Sequence, residues 1–428
     1  MLPRRFVLSW AGAADHGGPT ESLEGSDVNP AMQHLSHLCV PIGPREAGSA
    51  GNRAAADYIE RVFAEAGLDV SRQPFPCEAW ASASTEFELD GQPVEAAANW
   101  FSPACDVRGT NVPLRSIAQL KRADLRGCVA VLHGSLVSSP LSPKGNTVYN
   151  PESHQQIIRL LEEKRPEAVV TVSTTPRRLD LIKDPDLELP SVTVWGKAAR
   201  SLVARPGTDV RVRVSASRTQ GESCNVIGLK APSGLPRVVL CAHYDSHPDG
   251  PAAVDNATGV AVLLSVARDL AQRTLPFGLE FVAFSAHELN GAGAAEYLRP
   301  FGLSAVPDRG TVEPGNLAPG LEHISLCINV DGVAHKRGPN TIIQVARPTE
   351  LGARIRARID ADFPEIAWVE PWPASDHYTF YSHGVPAIAL SSEGAWLVNH
   401  RVSDTVQQIN PDKLEEAAAA VVTIVEAL

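Results

Sequence analysis

Three hydrophobic runs in the second half of this chain, Arg237 to Ala242, Leu279 to Ala286 and Ile324 to Val330, each stop beside a side chain able to bind a metal: His243, Glu288 and Asp331. Short apolar runs of this kind read as buried strands. In an open α/β sheet, ligands bind beyond the carboxyl ends of the strands, so acids and histidines at several such ends converge on one crevice. Asp255 and His400 extend the set to five, in the order His243, Asp255, Glu288, Asp331, His400. One Asp or His at a strand end is more often a turn former, a cap or a satisfied polar group than a ligand. Five together, three of them at strand ends, point to metal. Three carboxylates and two imidazoles suit Zn²⁺, and one carboxylate must bridge if two ions sit about 3.5 to 4 Å apart. Asp245, two positions after His243, is placed to orient the imidazole from behind.

These residues carry a resemblance. His243-Tyr244-Asp245-Ser246, Val254-Asp255-Asn256-Ala257-Thr258-Gly259, the apolar strand from Glu280 closing at Glu288, and Asn329-Val330-Asp331-Gly332 occur in the order of a known family. Ser375-Asp376-His377, Gly384-Val385-Pro386-Ala387, Asn399-His400 and Asp404-Thr405 continue that order. The chain resembles the zinc exopeptidase family of the bacterial leucyl aminopeptidases and glutamate carboxypeptidase II. The resemblance runs from His243 to Thr405, and its specificity lies in the combination. It implies an α/β fold with a three-layer, doubly wound mixed sheet and a site holding two Zn²⁺, the native metal being open. Asp255 is then the bridging ligand, with His243 and Asp331 on one ion and Glu288 and His400 on the other. The implied chemistry is attack on an amide carbonyl by metal-activated water.

One position departs from the family pattern. The family usually has two consecutive glutamates here, the first a general base and the second a ligand; this chain has His287-Glu288. Imidazole is a competent acid/base near neutral pH. The substitution also removes a negative charge, and beside two cations His287 is expected to be neutral. Three readings stand: His287 is the base, the base is Asp249, His247 or Glu296, or hydrolysis is impaired.

The chain has 428 residues, long enough for two domains. A formal net charge of −11 argues against nucleic acid or anionic membranes as partners. No run approaches the roughly eighteen consecutive apolar residues of a membrane helix. The seven cysteines are odd in number, scattered, and lack a Cys-x-x-Cys pair, so they do not form a disulfide framework. Reduced thiols fit a cytoplasmic location. Arg4-Arg5 followed by a short apolar patch to Ala14 keeps export as the alternative, although the apolar core is short for a signal peptide.

Residues 1–28 lack periodicity and read as a flexible arm. Between Asn52 and Gly67 the apolar residues Ala55, Tyr58, Ile59, Val62, Phe63 and Ala66 recur at helical spacing. From 82 to 215 the texture shifts to short β-like runs with many prolines: strands at Gly127–Leu132, Ala168–Val172 and Leu189–Val194, and a helix at Gln155–Lys164. In order, these resemble the β-rich protease-associated domain inserted in many members of the family; an unrelated α/β insert is the alternative. The expected division is therefore a catalytic domain of 29–81 with 216–428, interrupted by 82–215, whose role is to shape access to the site. A helix over Val260–Leu270 follows Asp255, capped by Asn256 or Thr258, and Asn410-Pro411 opens a final helix.

His377, Tyr378 and Trp396 are the candidates for substrate contact, His377 on the family's pattern of a pocket-lining segment. Each also reads simply as a wall or core residue. No Gly-x-Ser-x-Gly elbow is present, and His287-Glu288 is not followed by the histidine of a zincin helix. The leading expectation is a two-zinc metallopeptidase, an aminopeptidase acting on peptides or small amino-acid amides, with His287 and Asp245 as catalytic residues. A metal-dependent peptide-binding protein without hydrolysis, and a zinc-dependent acyl transferase or cyclase, remain alternatives because of His287. Oligomeric state is not legible.

Overall fold

In the run Arg237–His243, Val238, Leu240 and Ala242 enter one apolar core while Val239 and Cys241 enter another on the opposite face. A strand buried on both sides has no polar alternation to show, which is why the sequence there is continuously apolar. The computed structural model describes residues 29–146, 150–173, 181–230, 235–303, 317–345 and 349–428. The arm expected over 1–28 lies outside them.

In chain order the strands are β1 (Asp69–Leu89), β2 (Gln92–Val94), β3 (Ala96–Ala98), β4 (Cys105–Leu114), β5 (Cys128–Leu132), β6 (Ala168–Ser173) and β7 (Ser191–Trp195). There follow β8 (Asp209–Lys230), β9 (Arg237–His243), β10 (Gly278–Phe284), β11 (Ile324–Val330), β12 (Asn340–Val345), β13 (Ala367–Trp368) and β14 (Ala387–Ser392). Among the described residues they join in one 14-stranded sheet, ordered β13-β12-β14-β11-β9-β10-β8-β4-β5-β6-β7-β3, with β1 paired to β2 and β8. β10, β9, β11 and β14 run parallel, so their carboxyl ends share one edge.

β10 lies on one side of β9 and β11 on the other. The strand order thus reverses at β9, which opens a crevice at its carboxyl end. Helices Ala50–Glu65, Thr258–Leu270 and Pro411–Glu426 cover one face, and Ala292–Leu298 and His377–Tyr381 contribute to the other core. The layering is α/β/α.

Ser49 starts the first of these helices by accepting a hydrogen bond from the Asn52 amide at 3.0 Å. Asn410 does the same for the last helix, with Pro411 in its first turn.

The inserted region has its own cores: one under β5, β6, β7 and β8, the other between the opposite face of these strands and helix Glu152–Lys164. Its centre is four parallel strands, β4 to β7, so it is more α/β than its short runs suggest. The two regions are joined by β1 and β8, antiparallel partners from Asp69↔Leu229 to Leu89↔Val210. The expected borders at 81/82 and 215/216 fall inside these two strands. No helix among the described residues is long and apolar enough to cross a membrane.

Candidate metal centre

The crevice at the end of β9 gathers all five residues. His243 is the last residue of β9, Asp331 directly follows β11, and Glu288 lies just beyond β10. Asp255 sits in the turn before helix Thr258–Leu270, and His400 lies on the loop after β14. Two groups of donor atoms form, each within a sphere suited to one ion: His243, His287 and Asp331, and Asp255, Glu288 and His400. Asp255 lies between the two histidines. Its Oδ1 is 3.2 Å from His243 Nε2 and its Oδ2 is 3.1 Å from His400 Nε2. Glu288 Oε1 is 2.8 Å from His400 Nε2, and Asp331 Oδ1 is 3.6 Å from His243 Nε2.

These atoms fit a metal better than each other. His243 Nε2 and Glu288 Oε1 are buried and close to charged neighbours, yet neither contact has the geometry of a hydrogen bond. Orphaned buried polar atoms are costly and ask for a ligand. The electrostatics agree. Burial alone would raise the Asp255 carboxyl, but the two imidazoles hold it well below the usual carboxylate range. Burial likewise raises Glu288, and the His400 ring overrides it, bringing the value to about 2. His243 shows the reverse: burial disfavours its charged form, but Asp331, Asp245 and Asp255 push it well up. Three carboxylates in one pocket demand positive charge, which divalent cations would supply.

Local chemistry fixes each donor. Asp404 accepts from the Val254 and Asp255 amides at 2.7 and 3.0 Å, pinning the Asp255 backbone. Asn256 accepts from the Gly259 amide at 3.0 Å, starting the next helix, and donates to the Val330 carbonyl at 2.9 Å. Thr258 instead donates to the Val254 carbonyl. Ser375 donates to Asp331 Oδ2 at 2.6 Å. Gly259 has no room for a side chain, because a Cβ would lie 2.3 Å from the Val330 carbonyl oxygen.

Asp245 spans two of the loops. Its carboxylate accepts from the backbone amides of His287 and Glu288, each at 3.0 Å, while its own carbonyl lies 3.2 Å from His243 Nδ1. The nearer support for the His243 ring is therefore main chain; the carboxylate holds the His287-Glu288 turn.

His287 packs flat on His243, ring centroids 4.1 Å apart. Its Nδ1 donates to Asp376 Oδ1 at 3.0 Å. An ionised carboxylate only accepts, so the neutral ring carries its proton on Nδ1 and presents Nε2 as an acceptor. Burial disfavours a charged His287, and the Asp376 carboxylate outweighs it, raising the value to about 9 in the metal-free cluster.

The cleft over the cluster has a volume of about 370 Å³ and is lined by Asp255, His287, Glu288, Asp331 and His400 together with Leu141, Ser142 and Lys183 of the insert. Asp376, Asp404 and Lys183 were not singled out from sequence; only the Ser375-Asp376-His377 and Asp404-Thr405 motifs hinted at the first two. The substrate-contact candidates do not line this cleft. His377 is buried, its Nε2 2.8 Å from the Trp372 carbonyl, and burial lowers its pKa to about 4. Trp396 is 70% exposed on the surface, and Tyr378 packs near Tyr381. Of the other base candidates, His247 and Asp249 border a neighbouring depression with Glu46 and Trp100, and Glu296 pairs with Arg299.

The family model described as Peptidase family M28 matches residues 225–425. Aminopeptidase YwaD of Bacillus subtilis is 25% identical over 310 residues, 70% of this chain and 63% of that protein. The chain thus spans less than two thirds of that relative's length. Among solved structures, an aminopeptidase from Aneurinibacillus sp. strain AM-1 superposes with a TM-score of 0.71 at 22% identity, covering 92% of both chains. BSAP, a zinc aminopeptidase from Bacillus subtilis, superposes with a TM-score of 0.72 at 20% identity over 93% of this chain and 94% of that one. The chain shares the fold of these aminopeptidases.

Proposed function

We propose, from the match of residues 225–425 to Peptidase family M28 and the two groups of donor atoms that lie within that stretch, that the chain is a two-zinc aminopeptidase-type amide hydrolase acting on peptides or small amino-acid amides. The observation that carries this is Asp255, whose two carboxylate oxygens face one histidine of each donor group. His243 and Asp331 would hold one ion, Glu288 and His400 the other, and Asp255 both. When bound, the metals supply Lewis acidity toward the scissile carbonyl and lower the pKa of water at the centre.

The chain's own residues supply orientation and proton handling. Asp376 keeps the His287 proton on Nδ1, so that Nε2 accepts a proton from the attacking water and can return it to the leaving amine. Asp245 holds the backbone on which His287 and Glu288 are mounted. Relatives named as aminopeptidases, one described as a zinc enzyme, support this reading. The separate cores of the inserted region support its assignment as an access-shaping domain of protease-associated type.

The test is elemental analysis of bound metal followed by assay on amino-acid anilides and dipeptides. Two zinc ions per chain with release that stops on chelation and returns on adding Zn²⁺ is the expected result. Absence of metal, or release that ignores chelator, removes the proposal.

A further inference from the structure

A second cavity, of about 410 Å³, opens where the inserted region meets the region carrying the metal cluster, and it shares no lining residue with the metal cleft. Trp80 and Thr85 of β1, Ala97 of β3 and the following Trp100 line one side, and Glu46 and Asp249 border it on the other. The His247 ring stands between cavity and cluster, 4.9 Å from the ring of Trp100 and 5.4 Å from that of His400.

Two groups in its walls are unsatisfied. Among the described residues no cation pairs with Glu46: burial and then the Asp249 carboxylate act on its carboxyl, and both raise its pKa. Asp249, with Oδ2 3.7 Å from His247 Nδ1, therefore adds negative charge beside Glu46. On the inserted side Trp100 is 3% exposed, and its Nε1–H has no acceptor. A buried donor without a partner is costly, and so are neighbouring like charges. The Trp80 indole, by contrast, donates to the Ser102 carbonyl at 2.9 Å, which holds that ring as a fixed wall.

Carboxylates beside indole rings suit a cation that is organic rather than a bare metal ion. The acids supply charge, while the rings cover an apolar stem and attract the cation through their π faces. Among the described residues, the donor groups able to hold a metal lie at the other site. We propose that this cavity binds a guanidinium or ammonium group carried on an apolar stem, with the charge held by Glu46 and Asp249 and the stem against Trp80. A carbonyl on the same ligand then satisfies the Trp100 Nε1–H. The cation is either an Arg or Lys side chain of a peptide or a free small amine. The site stands independently of the hydrolase reading.

Calorimetry on the full chain, as purified and after chelation, compares N-acetylarginine amide with its neutral isostere N-acetylcitrulline amide and with butylguanidinium. The acetyl group leaves these amino-acid probes no free amino end to offer the metal cluster. Wild type is expected to bind the arginine probe roughly tenfold tighter than the citrulline probe. Glu46→Gln removes that preference, while Glu167→Gln, the same change at an exposed acid of the insert, keeps it. Ser82→Arg, at an exposed position lining the cavity, leaves Glu46 untouched and lowers affinity for the arginine probe by supplying a competing guanidinium. Tighter binding of the arginine probe than of butylguanidinium, lost in Trp100→Phe, assigns the cation to a peptide side chain; equal binding assigns it to a free amine. Equal affinity for the arginine and citrulline probes overturns the proposal. So does a preference that survives Glu46→Gln, one lost equally in Glu167→Gln, or unchanged affinity in Ser82→Arg. A preference seen only after chelation also overturns it, because the probe would then be sitting among the acids of the metal cluster.

Discussion

Arg45 offers the sharpest test of how the chain holds its candidate ligands. It is fully buried and has no ion-pair partner among the described residues. Its guanidinium donates to four carbonyls within 3.0 Å: Tyr244 and Gly43 at 2.8 Å, Pro251 at 2.7 Å and Ala252 at 3.0 Å. Two of these flank the centre, since Tyr244 follows His243 and Ala252 begins the turn carrying Asp255. Arg45→Met keeps most of the apolar volume and leaves four carbonyls without a donor, at ~1–3 kcal/mol each before relaxation. Loss of an unpaired buried charge and entry of water offset part of this. The net destabilisation should be about 3–5 kcal/mol, measured by denaturant unfolding of the metal-free chain. Because the same carbonyls position His243 and Asp255, zinc affinity should fall roughly tenfold to a hundredfold, measured by competition with a chromogenic chelator. A destabilisation under about 1 kcal/mol would refute the carbonyl-clamp argument. Full destabilisation with unchanged zinc affinity would show that Arg45 supports the fold alone.

Asp255→Asn should lose metal, measured by elemental analysis, with activity down by roughly three orders of magnitude, since no neighbouring carboxylate is placed to face both histidines; a variant that retains two metals removes the bridging role. His287→Ala should lower kcat by roughly a hundredfold or more with metal content preserved, and unchanged turnover would exclude it as the base. Glu46 is raised to about 7, first by burial and then by Asp249. An acid with a raised folded value stabilises the fold fully below its ordinary pKa, near 4.5, and loses that stabilisation as pH rises through 7. Since Glu46 is partly exposed, its share should be about 1–2 kcal/mol. Glu46→Gln should flatten the dependence of unfolding free energy between pH 5 and 8 by about that amount, and an unchanged slope would contradict the assignment.

The strand ends and the five metal-type residues were legible because each signal is local: an apolar run, then an acid or histidine. The run Ile324–Val330 coincides with β11, and Arg237–Ala242 with all but the last residue of β9. The β1–β8 ribbon was not legible. Most of β1, with its Pro74, Pro76 and serine-rich middle, is exposed or half-buried and shows no clean alternation, so only its partner more than a hundred residues away reveals it as a strand. For the same reason the domain borders were read as breaks in texture where the backbone in fact runs straight through. The part Arg45 plays was not legible for a different reason: it works through carbonyls far along the chain, and a lone cation has no periodic pattern to betray its contacts.

The histidine at position 287 changes the bearer of a charge more than the charge itself. Where the family resemblance leads one to expect a glutamate, the ring of His287 stands on His243, and the carboxylate of Asp376, 1% exposed, lies against its Nδ1. The pair still presents one acceptor toward the cluster and still brings one negative charge, set back behind the ring. Restoring a glutamate alone would place a second carboxylate opposite Asp376 in a buried site, where like charges repel and one must take up a proton. His287→Glu should therefore turn over more slowly than His287→Glu combined with Asp376→Asn, which relieves the repulsion. The two changes should be strongly non-additive, since Asp376→Asn alone removes the acceptor that sets the His287 tautomer. A complete cycle of kcat/KM values for the four proteins measures this. If the double variant is no better than His287→Glu, the two side chains do not act as a unit, and the base must be sought elsewhere in the cleft.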